Sequence, residues 1–168
     1  LNYKNLKSLE IHAANIYQTL IIDTIKLEEL NNIESITFVS FNFRQFPIKI
    51  SIIDSLKEMR LSFCNITELP DNIDVFKNIS LLEFRGNFLK SLPNSISKME
   101  NLEVLDLGNN LFTDIPNNIL SLYKLKSLNF NNAETNNSIV FLDKEKNYKI
   151  ENNVININNN AEVLMKII

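Results

Sequence analysis

Apolar residues return along this chain with a period of 23 residues. Frames that begin at Ile33, Leu56, Ile79 and Leu102 are apolar at positions 1, 4, 6, 11, 14, 18 and 21 in all four cases. Position 15 of the frame holds every proline in the chain, namely Pro47, Pro70, Pro93 and Pro116. Such agreement indicates one structural unit repeated over residues 33–124.

The spacing within a frame predicts the shape of that unit. Positions 4 and 6 alternate with polar neighbours, which is typical of a short strand. Positions 11, 14, 18 and 21 step by three or four residues, which favours a helical or irregular return segment, and proline suits the first turn of a short helix. Because each unit is apolar on one side, stacked units bury a continuous core, as in a solenoid. The strands are predicted to centre near Ile11, Phe38, Leu61, Phe84, Leu107 and Phe130.

The stretch LEVLDLGNNLFTDIPNNI, residues 102–119, resembles the leucine-rich repeat family in its L-x-x-L-x-L-x-x-N-x-L-x-x-L-P-x-x-I form. The resemblance extends over residues 33–124, in four consecutive frames. It implies an α/β repeat solenoid, curved and right-handed, with a parallel concave β-sheet and short helical or irregular convex segments. The family uses this scaffold for many partners, so the resemblance says little about function.

Both ends of the array depart from the period. Residues 1–132 are predicted to form the repeat array, with an irregular first repeat at 6–32, regular repeats at 33–124 and a last strand within 125–132. Residues 133–168, partly Asn-rich, are predicted to be a C-terminal capping segment with one or two strands and a short terminal helix, because a solenoid must cover its exposed core. Low-complexity disorder of the Asn-rich part is the competing interpretation. The array itself is either complete or a fragment of a longer one.

In the family, position 9 of the frame is normally Asn, whose amide hydrogen-bonds backbone groups in a tight bend. Here only Asn87 and Asn110 keep it, and the full column reads Ala14, Phe41, Cys64, Asn87, Asn110 and Ala133. Phe41 departs outright, so the bend after the second strand is expected to be looser or repacked. Cys64 is interpreted as a buried residue of this column and not as a reactive thiol.

Composition excludes several kinds of chemistry. One cysteine and one histidine rule out an internal disulfide and zinc sites built from several Cys or His. The two glycines lie in repeat turns, so no Gly-rich phosphate loop exists, and we predict no cofactor. A net charge of -3 gives no footprint for nucleic acid, and no apolar run is long enough to span a membrane.

Three carboxylates approach one another across the predicted stack: Glu58, Glu83 and Asp106. Arg60 and Arg85 are interleaved with them. Such pairing favours ionised acids and does not raise one carboxyl pKa for general-acid catalysis. A solvated charge ladder is therefore the preferred interpretation, and we predict that the chain is not an enzyme.

Positions 3, 5, 7 and 8 of the frame face outward on the strand side, and the resemblance implies that this concave sheet binds partners. The central repeats concentrate charged, aromatic and apolar side chains there, which are types favoured at interface hot spots. The candidate binding residues are Glu58, Arg60, Phe63, Leu81, Glu83, Arg85, Val104, Asp106 and Asn109. The alternative is that Arg–Glu pairs merely stabilise the sheet.

These observations favour a non-catalytic module that binds a protein or peptide, either as a monomer or within a longer repeat array. The alternative function is a structural spacer or targeting arm of a larger protein. Intracellular and bacterial secreted or surface locations both stay open. The single cysteine counts against the extracellular animal and plant versions of the family, which usually carry cysteine-rich caps.

Overall fold

The computed structural model describes residues 5–14, 27–43, 45–113 and 116–130, together with the backbone of 138–141 and 148–151. Within these ranges, eight strands form one open sheet in chain order. The strands are β1 (Ser8–His12), β2 (Ser35–Val39), β3 (Glu58–Ser62), β4 (Leu81–Glu83), β5 (Val104–Asp106), β6 (Ser127–Asn129), β7 (Ser138–Phe141) and β8 (Tyr148–Glu151). Strands β1 to β6 pair in parallel, which confirms the predicted solenoid.

The register of the sheet reproduces the sequence period. From β2 to β6, each residue pairs with the residue 23 positions later, as in Ser35 with Glu58 and Leu81 with Val104. Between β1 and β2 the offset is 27, because Ser8 pairs with Ser35. The longer first repeat therefore joins the same sheet without a shift in register.

The predicted strand centres lie too far toward the carboxyl end. Strands β4, β5 and β6 end one residue before Phe84, Leu107 and Phe130 respectively. The backbone nevertheless stays in line, since Phe84 N donates to Asp106 O at 2.8 Å and Leu107 N donates to Asn129 O at 2.8 Å. The hydrogen bonds between repeats thus continue for one residue beyond the ends of β4 and β5, where the following bend begins.

The return segments are short 3₁₀ helices. They lie at Leu27–Glu29, Ile48–Ile52, Ile73–Val75, Asn94–Lys98 and Asn117–Ser121. Pro47, Pro93 and Pro116 each stand directly before the first helical residue, where a missing N–H and a fixed φ are tolerated. In the third repeat the helix begins three residues after Pro70, and Ile73 N donates to Pro70 O at 3.1 Å.

The core lies between the sheet and these return segments. Positions 1, 4, 6, 11, 18 and 21 of the four regular frames are all buried. At position 14, Leu69 and Leu92 are buried and Phe46 is only partly buried, while Ile115 lies outside the described residues. Phe46 packs edge-to-face on both Phe76 and Phe84, each at 6.1 Å between ring centroids.

Strands β7 and β8 fall within the predicted capping segment. They pair antiparallel, β7 with β6 and β8 with β7, and so change the direction of the sheet after the last repeat strand. The predicted terminal helix and the centre of the Asn-rich stretch lie outside the described residues. The division at residue 132 remains a prediction.

Candidate protein-binding surface on the concave sheet

The bend that ends each strand has a shared backbone geometry. Position 8 of the frame is occupied by Ser40, Phe63, Gly86 and Asn109, with φ of 63°, 57°, 68° and 55°. This left-handed region suits glycine and asparagine and is rare for a bulky residue. The repeat therefore imposes the conformation at Phe63, whatever the intrinsic preference of that side chain.

Asn87 fixes one of these bends with both ends of its amide. Its Oδ1 accepts from Cys64 N and Ile66 N, each at 3.0 Å. Its Nδ2 donates to Leu61 O at 2.7 Å and to Phe84 O at 2.8 Å. One buried side chain thus satisfies backbone groups of two successive repeats.

Position 9 is filled differently where asparagine is absent. The Cys64 thiol is buried and lies 3.4 Å from Phe38 O and 3.3 Å from Ser62 O. Phe41 is buried against Phe38 and Phe43, at 5.9 Å and 6.1 Å between ring centroids. The bend after the second strand is therefore repacked with three aromatic rings, as one of the two expected outcomes.

An ionic cluster occupies the concave face at β3 and β4. Arg60 Nη1 donates to Glu58 Oε2 at 2.7 Å, and Arg60 Nε lies 3.6 Å from Glu83 Oε2. Glu83 also accepts from the buried hydroxyl of Ser62 at 2.5 Å. The structure therefore joins Glu58, Arg60 and Glu83 as one paired group, in line with the predicted charge ladder.

The other two charged candidates do not join that ladder. Asp106 accepts from Gly108 N at 2.8 Å and from Asn129 Nδ2 at 3.1 Å. Arg85 is half-buried, and its guanidinium has no acceptor among the described residues. The predicted pairing with carboxylates therefore occurs for Arg60 and, among the described residues, not for Arg85. Each oxygen of Asp106 accepts from a different donor instead.

The apolar candidates lie beside these charges. Leu81 and Val104 are register partners on β4 and β5, and both are half-buried on the outer face. Phe63 is 48% exposed, and its ring lies against Gly86 of the next repeat, where a Cβ would collide with it. Asn109 is exposed at the equivalent bend of the following repeat.

Two exposed residues escaped the sequence prediction, which considered only positions 3, 5, 7 and 8. Phe88 and Leu111, at position 10, are 46% and 48% exposed. The same position holds Asn42 and Asn65 in the two preceding repeats, and Asn65 Nδ2 donates to Asn42 Oδ1 at 3.3 Å. The switch from asparagine to apolar residues is visible in the column and marks the repeats that begin at Ile79 and Leu102.

The amino-terminal edge of the sheet is built from ion pairs. Glu34 accepts from Lys7 Nζ at 2.6 Å and from Lys57 Nζ at 2.7 Å. These lysines, chiefly Lys57, lower the pKa of Glu34 from its usual 4.5 to about 2. Glu103 pairs with Lys126 at 2.7 Å in the same way three repeats later.

Groups that catalysis would need are scattered. Burial raises the pKa of the Cys64 thiol to about 11, so it stays protonated at neutral pH. His12 is exposed and contacts Glu10 at 2.5 Å, while Cys64 lies two repeats further along the array. Within the part of the chain that the structure describes, no three His, Cys, Asp or Glu residues are grouped to hold a metal ion. None of the helices in that same part of the chain is long and apolar enough to cross a bilayer.

A stack of parallel strands, proline-led return turns and an asparagine-bound bend defines a leucine-rich repeat solenoid, and solved structures of leucine-rich repeat proteins share this fold. It is similar to a leucine-rich repeat protein of Leptospira interrogans, LIC12759, with 26% identity and a TM-score of 0.66 over 76% of this chain. The chain spans only 32% of the length of that protein.

The fold is also similar to the leucine-rich repeat ectodomain of the receptor kinase SOBIR1 from Arabidopsis thaliana. That match has 23% identity and a TM-score of 0.55, and it covers 73% of this chain and 67% of the ectodomain. Comparison of the sequence with family models and with curated proteins gives no match. The assignment therefore depends on the structure and on the repeat columns.

Proposed function

We propose that the chain is a non-catalytic protein-interaction module that binds a protein or peptide through the concave sheet. The leucine-rich repeat architecture supports this in general, since its solenoids are used as extended concave binding surfaces. The observation that carries the proposal is the centre of the sheet. There Leu81 and Val104 form a half-buried register pair on β4 and β5, and the guanidinium of Arg85, four residues after Leu81, has no acceptor among the described residues.

The proposed contact surface consists of the predicted candidates Glu58, Arg60, Phe63, Leu81, Glu83, Arg85, Val104, Asp106 and Asn109. Arg60 is held in place by two carboxylates and so presents a fixed charge pattern to a partner. Fixed charges among apolar groups set partner choice and orientation more than raw affinity.

Charge reversal at Arg85 tests the proposal. Arg85→Glu should weaken partner binding strongly, because it inverts a charge among contacts that lose water on binding. The melting temperature should change little, since Arg85 forms no ion pair with any described residue. After a partner is captured by pull-down, calorimetry on purified proteins gives the affinities.

Lys98→Glu is the matched control, because Lys98 is exposed on the 3₁₀ helix Asn94–Lys98 of the return side. Equal affinity of Arg85→Glu and the unaltered chain would place the binding surface elsewhere. Failure of the chain to bind any partner would favour its alternative function as a spacer or targeting arm.

A further inference from the structure

An exposed apolar row borders the concave sheet in the central repeats. Phe63, Phe88 and Leu111 lie in the three successive loops that leave the carboxyl ends of β3, β4 and β5, and each is close to half exposed. We call these three residues the carboxyl edge. They are half of the six large hydrophobic side chains that are exposed among the described residues.

Backbone hydrogen bonds hold these loops at the spacing of the sheet. Phe63 N donates to Arg85 O at 2.9 Å, and Phe88 N donates to Ile66 O at 2.8 Å. Leu111 N donates to Leu89 O at 2.8 Å. Successive loops are therefore separated by about 5 Å, as strands are, so one ligand that crosses these loops can reach side chains of all three.

Two observations set this edge apart from ordinary surface. The opposite edge carries the ion pairs of Glu34 and Glu103. In addition, the repeat places Phe63 in a left-handed backbone with φ of 57°, so this bend carries a bulky aromatic ring in a conformation that is unfavourable for it. The Phe63 ring also covers Gly86, directly after Arg85.

The charged residues of the concave face determine which charged group a ligand needs. The carboxylates Glu58, Glu83 and Asp106 all accept hydrogen bonds from this chain. Arg85 is the charged group at the centre of the sheet that lacks an acceptor among the described residues, and guanidinium groups bind carboxylates and phosphates. Glu83, two residues before Arg85, and its register partner Asp106 repel a phosphate dianion more than a single carboxylate.

We propose that the partner is a peptide segment in which an Asp or Glu side chain binds the Arg85 guanidinium while a neighbouring apolar side chain packs on the carboxyl edge. The proposal rests on the proposed function of the concave sheet and extends that surface to Phe88 and Leu111. Peptides of this kind match both the guanidinium of Arg85, which lacks an acceptor among the described residues, and the apolar side chains of the carboxyl edge.

Selection of random displayed peptides on the full chain provides the test. The selected peptides should be enriched in Asp or Glu beside Leu, Ile, Phe or Met. Arg85→Gln and Phe88→Ser should each weaken binding of a selected synthetic peptide by about tenfold or more. Lys98→Gln and Ile52→Ser are the matched controls, because both residues are exposed on a return helix, and they should leave the affinity unchanged.

Coupling between the two partners identifies the contact. Replacement of the peptide's acidic residue by its amide should weaken binding to the unaltered chain and have little further effect on Arg85→Gln, because both changes remove one interaction. Additive losses would overturn the assignment of Arg85 to the carboxylate. Tighter binding of a phosphoserine peptide than of its Asp or Glu form would overturn the choice of a carboxylate.

The same experiment separates this inference from the proposed function. One outcome is that peptides bind Arg85→Gln and Phe88→Ser as tightly as the unaltered chain and yet fail to bind Val104→Asp. That result would overturn the inference but would still support a binding site on the concave sheet. Peptides insensitive to all three variants would overturn both. Selection of no peptide at all would overturn the inference, and the proposed function would then depend on the pull-down.

Discussion

At the scale of single residues, Asn87 shows how one side chain joins two repeats. It accepts from two backbone N–H groups of the preceding bend and donates to a carbonyl on each side. Asn110 repeats the pattern, donating to Phe84 O at 2.8 Å and to Leu107 O at 2.9 Å. At position 9 of the second repeat, Phe41 packs against other aromatic rings instead of forming these hydrogen bonds. The bend therefore requires a buried side chain at this position, but not always an amide.

Leu105 provides a direct test of the core, because it is fully buried at position 4 between two neighbouring repeats. Leu105→Ala should lower the free energy of unfolding by roughly 2–5 kcal/mol, since it leaves a cavity in a layer shared with both neighbours. Denaturant titration measures the change. Leu111→Ala, the same change at a half-exposed site, should stay within about 0.5 kcal/mol. A loss below about 1 kcal/mol for Leu105→Ala would contradict its place in the core.

At the scale of elements, Gly86 and Phe63 couple two consecutive bends. Gly86→Ala should destabilise the protein by more than the ~1–2 kcal/mol of a left-handed alanine, because the new Cβ also meets the Phe63 ring. In a Phe63→Ala background the loss should shrink toward the backbone contribution alone. Thermal or chemical unfolding of the two single variants and the double variant gives the coupling. Strictly additive changes would show that the ring does not lie over Gly86 in solution.

The amino-terminal edge should respond to acid. The folded-state pKa of Glu34 is about 2 against a usual 4.5, so its contribution to stability is complete above about pH 4.5 and is lost as the pH falls toward 2. The difference in melting temperature between the unaltered chain and Glu34→Gln should therefore vanish near pH 2. Melts at neutral and acidic pH measure this difference. A constant difference across that range would show that the Lys7–Glu34–Lys57 bridge does not persist.

At the scale of the whole molecule, the uniform register makes each repeat a removable unit. Deletion of residues 79–101 brings β5 beside β3 with the same offset of 23 that the sheet already uses. Asn110 would then face Leu61 O, to which Asn87 now donates. We expect a folded solenoid of lower stability, because energies in repeat proteins add between neighbours.

Circular dichroism and denaturant unfolding would report a cooperative transition for this deletion. Deletion of residues 79–90, about half a period, is the control and should abolish that transition, because it puts apolar positions on the wrong side of the stack. A cooperative transition for both deletions, or for neither, would contradict the repeat as the unit of stability.

The size of the array limits what it can bind. Six parallel strands at ~4.8 Å span about 25 Å, and a standard interface needs ~800 Å² from each partner. The strand face alone is small for this, and the carboxyl edge adds the apolar area that a short peptide would cover. Phe88→Ser removes part of that apolar area, so its effect on peptide affinity also tests whether the strand face alone is large enough to bind.

The sequence by itself determined the period, the parallel order of the strands and the identity of the buried columns. These follow from apolar spacing, because a unit that is apolar on one side can only be buried by stacking. It also named Leu81 and Val104 as neighbours and Arg60 as a partner of acids, since equivalent positions in adjacent repeats must pair.

Only the tertiary structure decided what the charges and bends do. It paired the two oxygens of Asp106 with Gly108 N and Asn129 Nδ2, placed the Phe63 ring on Gly86 and exposed Phe88 and Leu111. The strands of the later repeats also stop earlier than the apolar pattern predicted. Side-chain direction at the bend depends on the left-handed backbone of position 8, a geometry that hydrophobic periodicity does not encode.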